Sequence, residues 1–540
     1  MAVEATWMVQ RLAIRRFPRR RVSFISACAL AMALLGVAPA HARLAERLER
    51  GETITVVALG DSLAAGFELS DPKRDAYPSI FASVLQRRYP RARIRLIPAG
   101  IPGDTARGGV RRIPSDVLSH NPDLVTIQFG GNDHGRGRAP AEFERDLEEI
   151  VRLIREQPGT AALLATPPIV SPDADTPMVR AVKEIGKRAG IPVADFDGAI
   201  RARGTGPRGP FPFGRHPDAR LHAVMARSLY EAVETLLPCQ RHVRVRIQEG
   251  ARYFPRADSA PVEVLVEAPG PDPVTVVLEC DGVEQRQVVD PGARTMVPVS
   301  FQVSLAKEGV PARRRLFAWA RTGDAFDYDL RWLTATPVAR AGQDGLVIDG
   351  RGLVLGRDGW RGPDDLSGRA TLIREGDFLH LTVTVEDDRV VRNRRIPNAF
   401  DSDCVELFLD CRPAGTQARP YWEQGVVGLF IQPGTSHAEK ASWKPLEPLP
   451  DAWQALEAHS ALMPGGYRID LRIPLSLLGM PGARYVGFDL ALDDADGPRG
   501  RRMQMVWAGG ADDFLDPSLF GAVDLEPEPW AEPQMRVSVW

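Results

Sequence analysis

From about residue 53 to residue 237, short apolar runs alternate with stretches of helical periodicity. Residues 54–59, 94–97, 124–129, 161–165 and 191–194 are short, mainly apolar runs, which read as buried strands. Between and after them, residues 77–88, 140–157, 177–189 and 218–237 read as helices. Strands of this kind separated by helices predict a parallel sheet covered on both sides, with its ligand crevice beyond the carboxyl ends of the strands. After residue 239 the helical pattern stops. Residues 243–247, 262–267, 274–280, 297–303 and 316–321 are short alternating or β-branched runs punctuated by Pro and Gly, the pattern of a small sandwich. A further strand-rich section begins near Ala339, with runs at 378–385, 404–409, 424–431 and 467–473. The expected division is an N-terminal segment 1–42, an α/β domain 43–238, a small immunoglobulin-like β-sandwich 239–338 and a larger β-sandwich 339–540. A length of 540 residues suits several domains rather than one.

Composition changes this picture at the N-terminus. Arg11, Arg15, Arg16, Arg19, Arg20 and Arg21 precede an apolar run of sixteen residues, 22–37, followed by Ala40-His41-Ala42. This is the layout of a secretory signal with cleavage after Ala42, and the run is short for a membrane span of ~20 residues. A retained anchor is the alternative. Most of the apolar run lies after Cys28, where a lipoprotein signal would need it before. Residues 1–42 hold six arginines and one glutamate, so the remainder carries −7 where the whole chain carries −2. No basic block remains that would favour a nucleic-acid partner. Cys239, Cys280, Cys404 and Cys411 remain in a chain bound for an oxidising compartment, and the odd separation of Cys404 and Cys411 along one strand argues against their pairing.

Four clusters in the α/β section carry chemistry. The first strand runs into Gly60-Asp61-Ser62-Leu63, which presents a hydroxyl at a strand's carboxyl end, a good place for a nucleophile. Gly103, in Gly100-Ile101-Pro102-Gly103-Asp104, follows the second strand and lets a backbone N–H approach a ligand. Asn132, in Gly130-Gly131-Asn132-Asp133, offers an amide donor after the third. His216, before the last helix, offers an imidazole, the side-chain type suited to accept a serine proton and return it. Taken singly, these are a helix cap, two turns and one of nine histidines.

In this order the clusters resemble the GDSL subgroup of the SGNH hydrolases, over residues 53–237. The resemblance implies a three-layer, flavodoxin-like α/β/α fold and ester hydrolysis through an acyl-enzyme, with neither metal nor organic cofactor in catalysis. It makes Ser62 the nucleophile and His216 the general base, with the Ser62 and Gly103 N–H groups and the Asn132 amide forming an oxyanion hole. One position departs from the pattern. The family's acid sits three residues before the histidine, and Phe213 stands there. Three arrangements follow: a Ser–His dyad oriented by a backbone carbonyl, a substitute carboxylate from Asp195, Asp197 or Asp218, or a degenerate enzyme. Remaining oxyanion donors, each worth about 10² to 10³ in rate, favour an active site.

The C-terminal section, with Trp360-Arg361-Gly362-Pro363-Asp364-Asp365, Asp401-Ser402-Asp403-Cys404 and Val506-Trp507-Ala508-Gly509, resembles family-nine carbohydrate-binding modules over residues 339–525. That resemblance implies sugar binding on aromatic platforms and a structural calcium. Trp507, with Gln504 three residues before it, is the candidate platform, and a core tryptophan is the other assignment. Asp387, Asp388, Asp401 and Asp403 are the candidate calcium ligands. The whole reads as an exported esterase, periplasmic, envelope-bound or secreted, acting on an acylated polysaccharide or glycoconjugate, with no stable membrane span after signal cleavage. The alternatives are a lipolytic esterase, lysophospholipase or thioesterase of the same family, and a carbohydrate-binding envelope protein that no longer turns over.

Overall fold

The computed structural model describes residues 40–540 apart from 170–174, 204–215, 238–242, 269, 271, 291–295, 306–311, 343–344, 393–397, 435–440, 479–483, 498–499, 511–512 and 527–533. The expected signal segment up to residue 39, Phe213 and Cys239 lie outside the described residues. Five parallel strands, β1 (Thr53–Gly60), β2 (Arg93–Gly100), β3 (Leu124–Gln128), β4 (Ala161–Ala165) and β5 (Val193–Ala194), form a sheet in the order β2-β1-β3-β4-β5. Alternation along β1 decides the layers. Ile54 and Val56 face a core shared with α1 (Ala40–Arg50), α2 (Tyr77–Arg88) and, at the chain's far end of this domain, the helix Ala219–Glu234. Val57 and Leu59 face the opposite core, packed with α3 (Ala106–Asp116), α4 (Pro140–Arg155) and α5 (Pro177–Ala189), while Ala219–Glu234 is α6. The result is the expected three-layer α/β/α domain. Among the described residues, no helix is long and apolar enough to cross a membrane.

The strand order reverses between β1 and β3, so connections leave the sheet in opposite directions there and open a crevice at the carboxyl edge. Gly60 pairs with Gly100 on one side and with Gln128 on the other. The backbones are too close for a side chain: a Cβ on Gly60 would lie 2.8 Å from the Gln128 carbonyl oxygen.

Beyond the α/β domain all regular elements are β apart from short 3₁₀ turns among the described residues. A three-stranded sheet of Val297–Ser304, Ser259–Glu267 and Arg244–Ile247 packs on strands Val274–Cys280 and Ala312–Thr322 through Val262, Val264, Val276, Leu278, Phe301 and Leu316. Strand Ala325–Arg340 runs through the expected boundary at residues 338/339. Its beginning pairs with Ala312–Thr322 and its end with Gly521–Asp524, so one sheet continues into the C-terminal sandwich. The last strand, Gln534–Val539, turns back to pair with Ala325–Arg340 and Gly250–Pro255, and places Met535, Val537 and Val539 in the middle core. Among the described residues Cys280, Cys404 and Cys411 are free thiols.

The β-rich part is bolted to the catalytic side rather than strung from it. Phe317, Phe326, Tyr328 and Leu330 join the core of α2 and α6. Arg227 of α6 pairs with Asp327, whose other oxygen accepts the Val245 N–H at 2.9 Å. Arg220, near the start of α6, donates to Asp516 Oδ2 at 2.7 Å and Ser518 Oγ at 3.3 Å, and its guanidinium lies 5.4 Å from the centre of the C-terminal Trp540 ring. Burial acts to push the Asp516 carboxyl up, but Arg220 and Arg313 outweigh it and hold it below the usual range. The stabilisation is therefore present above the unfolded carboxylate's pKa of about 4 and is lost as pH falls through the native value. Arg220→Ala takes the nearer of two guanidinium partners from a buried carboxylate, leaving Arg313 at 3.8 Å, and is expected to cost about 3 kcal/mol in urea unfolding at pH 7. The gap to the wild type should narrow as pH falls toward the native Asp516 value, below about 4, where the carboxylate is neutralised in the folded protein as well.

Candidate active site

The nucleophile motif sits where β1 leaves the sheet. Asp61 follows the strand's last residue, and its Oδ1 accepts the Leu63 N–H at 3.0 Å, capping the single turn Ser62–Ala65. Its Oδ2 lies 3.4 Å from the Gln128 amide nitrogen at the end of β3. Full burial pushes the Asp61 carboxyl up to about 7. This acid therefore braces the turn from beneath and leaves Ser62 at the rim. Ser62 Oγ is 2.9 Å from His216 Nε2. The histidine stands immediately before α6, whose N-terminus is capped by the Asp218 carboxylate on the Leu221 N–H at 3.0 Å. A sixteen-residue helix with eleven buried side chains thus fixes the imidazole's base.

The other nitrogen of the ring meets a carboxylate that sequence reasoning did not name. Glu68 Oε2 lies 3.3 Å from His216 Nδ1, and the same oxygen accepts the His216 backbone N–H at 3.1 Å. The Phe67 ring packs edge-on to the imidazole with centroids 5.0 Å apart. Two left-handed residues return the chain to this point: Gly66 at φ 67° and Glu68 at φ 68°. At Gly66 glycine is required on two counts, since a Cβ would also fall 2.7 Å from Ala76 Cβ. For Glu68 the conformation carries a cost of about 1 kcal/mol or more, a strain of the kind that accumulates at functional sites.

Gly103 and Asn132 occupy the loops after β2 and β3. Gly103 is left-handed, φ 78°, and its carbonyl accepts from Arg136 Nη2 at 2.6 Å. The Asn132 amide donates one hydrogen to the Asp104 carbonyl at 2.9 Å, which fixes its orientation and leaves its second hydrogen for a ligand. Arg112 ties the rim together: it donates to Asp104 Oδ2 at 2.8 Å, the Ala99 carbonyl at 2.6 Å and the Gly60 carbonyl at 2.7 Å. Asp133, buried, accepts from the Ala106 N–H at 3.2 Å and Arg138 at 2.6 Å, linking the β3 loop to α3.

The three aspartates expected as substitute acids are committed to other bonds. Asp195 accepts from Thr166 Oγ1 at 3.0 Å and pairs with Lys183 at 3.0 Å. Asp197 accepts from the Ile169 N–H at 3.2 Å and Arg201 at 2.7 Å. Asp218 caps α6 and binds Arg220 at 2.7 Å. The carboxylate at the imidazole belongs to Glu68. Its sequence signal was only an acidic residue six places after the serine, in a segment where the family pattern seeks no acid.

In the C-terminal sandwich Gln504 is buried and donates to Glu406 Oε1 at 3.3 Å, so it serves the interior rather than a sugar face. Trp507 is half-buried, edge-on to Phe488 at 5.8 Å, and lines a groove of about 1140 Å³ with Trp360, Arg351 and Asp258. Of the expected calcium ligands, Asp387 and Asp403 come together with Asp494, all buried, their carboxylate oxygens within 4.8 Å of one another. Asp387 Oδ2 is buried without a hydrogen-bond partner. This all-oxygen set of three strand-end carboxylates fits a hard cation such as calcium. Asp388 instead sits with Asp365 and Asp496, a group bridged by Arg361, with Arg502 also paired to Asp365 and Asp496. Asp401 accepts from Asn398 at 3.1 Å.

Residues 58–224 match the family model described as GDSL-like lipase/acylhydrolase, and residues 355–528 match that of the carbohydrate family 9 binding domain-like proteins. Among curated proteins, Esterase TesA of Pseudomonas aeruginosa is 30% identical over 165 residues, 28% of this chain and 79% of that protein. An Arylesterase of Vibrio mimicus is 31% identical over 109 residues, 20% of this chain and 52% of that protein, so the chain spans only about half of this relative's length. A solved two-domain esterase described as active on acetylated mannans is 19% identical, with 49% of this chain and 89% of that one covered at a TM-score of 0.33. With four-fifths of a 30% identical relative covered and the motif residues held at one edge of the parallel sheet, the chain belongs to the GDSL-like lipase/acylhydrolase family and carries a carbohydrate family 9 binding domain-like region at residues 355–528.

Proposed function

We propose that the protein is an exported serine esterase that removes acyl groups, acetyl above all, from a polysaccharide or glycoconjugate to which its C-terminal sandwich binds. The observation that carries the catalytic part is the 2.9 Å contact between Ser62 Oγ and His216 Nε2. Ser62 Oγ attacks the acyl carbon as His216 Nε2 takes its proton. The carbonyl oxygen gathers negative charge and is stabilised by the Ser62 and Gly103 N–H groups and the Asn132 amide. Protonated His216 then gives its proton to the departing sugar oxygen as the C–O bond breaks, leaving an acyl-enzyme on Ser62. A water molecule repeats the sequence: His216 takes its proton, its oxygen attacks, and Ser62 leaves reprotonated as the carboxylic acid departs.

The polysaccharide part rests on the C-terminal match and on the way that sandwich is fastened to α6. A binding module fixed beside the site raises the local substrate concentration, which favours chain-bound acyl groups over freely diffusing lipids. Export rests on the N-terminal pattern of arginines, apolar run and small-x-small residues. In the same sandwich Asp387, Asp403 and Asp494 would hold a structural calcium, whose role is to neutralise three buried carboxylates where three strand ends meet.

Ser62→Ala is expected to abolish nitrophenyl acetate hydrolysis by purified full-length protein, and equal rates for the two would end the esterase reading. Acetate release from acetylated glycans should exceed fatty-acid release from lysolipids, and the reverse order would favour a lipolytic enzyme. Asn132→Ala should lower kcat by about 10² to 10³ with the fold unchanged. After chelation, added calcium should raise the Tm of the wild type by several degrees and leave Asp403→Asn unmoved; equal responses would place the ion elsewhere.

A further inference from the structure

We propose that Glu68 is the carboxylate that positions His216, so that the nucleophile and the orienting acid come from one segment, residues 62–68, while the base comes from another. The inference rests on the esterase reading of Ser62 and His216 and adds the member that the segment before the histidine lacks, with Phe213 in the usual place. Glu68 Oε2 holds two atoms of the same residue, the Nδ1 edge of the ring at 3.3 Å and the main-chain N–H at 3.1 Å. A carboxylate at Nδ1 selects the tautomer with its proton on that nitrogen, and the Nε2 lone pair then faces Ser62 Oγ. The second bond fixes the main chain from which the ring swings. Phe67 closes one side of the imidazole.

The left-handed turn supports a functional assignment. Glu68 is one of four non-glycine residues with positive φ among the described residues, and it lies two residues after the left-handed Gly66. The Phe67 N–H donates to the Ser62 carbonyl at 3.0 Å, so this turn is pinned to the nucleophile's own backbone. Each end of the catalytic relay therefore depends on the same few residues. The Glu68 side chain is 46% exposed, unlike a buried triad acid, so water screens its charge and its contribution is smaller than the roughly 10⁴ a buried orienting acid supplies.

Full-length wild type, Glu68→Gln, Glu68→Asp and Glu68→Ala are compared on nitrophenyl acetate beside Ser62→Ala. Gln keeps the length and bears the same left-handed backbone, so it isolates the charge. Expected are a fall in kcat of about 10- to 100-fold for Glu68→Gln with KM within about twofold, and partial recovery in Glu68→Asp. Added formate should restore part of the activity of Glu68→Ala and none of Ser62→Ala. In a His216→Ala background, Glu68→Gln should have no further effect. Unchanged kcat in Glu68→Gln, with Ser62→Ala inactive, would overturn the role of Glu68 while leaving the esterase intact. So would a loss that formate does not relieve and that KM shares. If Ser62→Ala matches the wild type, it is the esterase reading that fails.

Discussion

A parallel sheet delivers the carboxyl ends of all its strands to one edge, and in this protein a guanidinium ties two of those ends, β1 and β2, together. Arg112 donates to the Gly60 carbonyl at the end of β1, to the Ala99 carbonyl at the end of β2 and to Asp104 in the loop beyond. The Gly60 carbonyl also accepts the Ile101 N–H at 3.1 Å, so Arg112 adds a side-chain clamp to a main-chain bond between the two strand ends. With Arg112 in place, the loop carrying Gly103 is fixed relative to the turn carrying Ser62. Asn132 then bonds to the Asp104 carbonyl and joins the third loop to the second. The loops carrying Gly103 and Asn132 are thus tied to the Ser62 turn by bonds within the protein itself.

Beneath that rim the charges are distributed so that each carboxylate has one task. Asp61 is fully buried, pushed up to about 7, and bonded to the Leu63 N–H; it shapes the turn and does not face the imidazole's Nδ1. Asp133 is spent on Arg138 and α3. Asp218 is spent on the cap of α6. Among the described residues, it is Glu68, raised on a left-handed turn, that reaches the outer nitrogen of His216. The division follows from burial: a carboxylate locked under the sheet is structural, while one at a half-exposed edge remains able to respond to a ring whose charge changes during turnover.

The parts of this arrangement legible in the sequence are those set by local pattern. Residues 54–59 and 94–97 declared their strands by composition, and Thr53–Gly60 and Arg93–Gly100 extend them by a few residues. Ser62, Gly103, Asn132 and His216 stood out because each follows or precedes a regular element at a fixed offset. Glu68 did not, because what makes it a neighbour of His216 is a pair of φ angles and a contact across 148 residues, neither of which has a local signature. The same reason hid the return of Gln534–Val539 to the middle sheet: strand pairing is a tertiary choice, and an apolar run does not name its partner. Gln504 was misjudged for a related cause. Its four-residue strand, Met503–Val506, is buried at every position, so alternation gave no warning that it serves the interior.

The attachment of the β-rich half alters how the catalytic half should be understood. Phe317, Phe326, Tyr328 and Leu330 complete the core beneath α2 and α6, and Trp540 at the C-terminus stacks against Arg203 and Arg220 at 5.5 and 5.4 Å. A helix lying in such a joint cannot shift without uncovering apolar surface on both sides. Because α6 begins three residues after His216, the middle sandwich and the C-terminal tail are part of what keeps the imidazole facing Ser62. The middle section is therefore a wall of the α/β domain's core, and removing it would take Phe326 and Tyr328 from Tyr230 and expose that ring to water before it lengthened or shortened any tether.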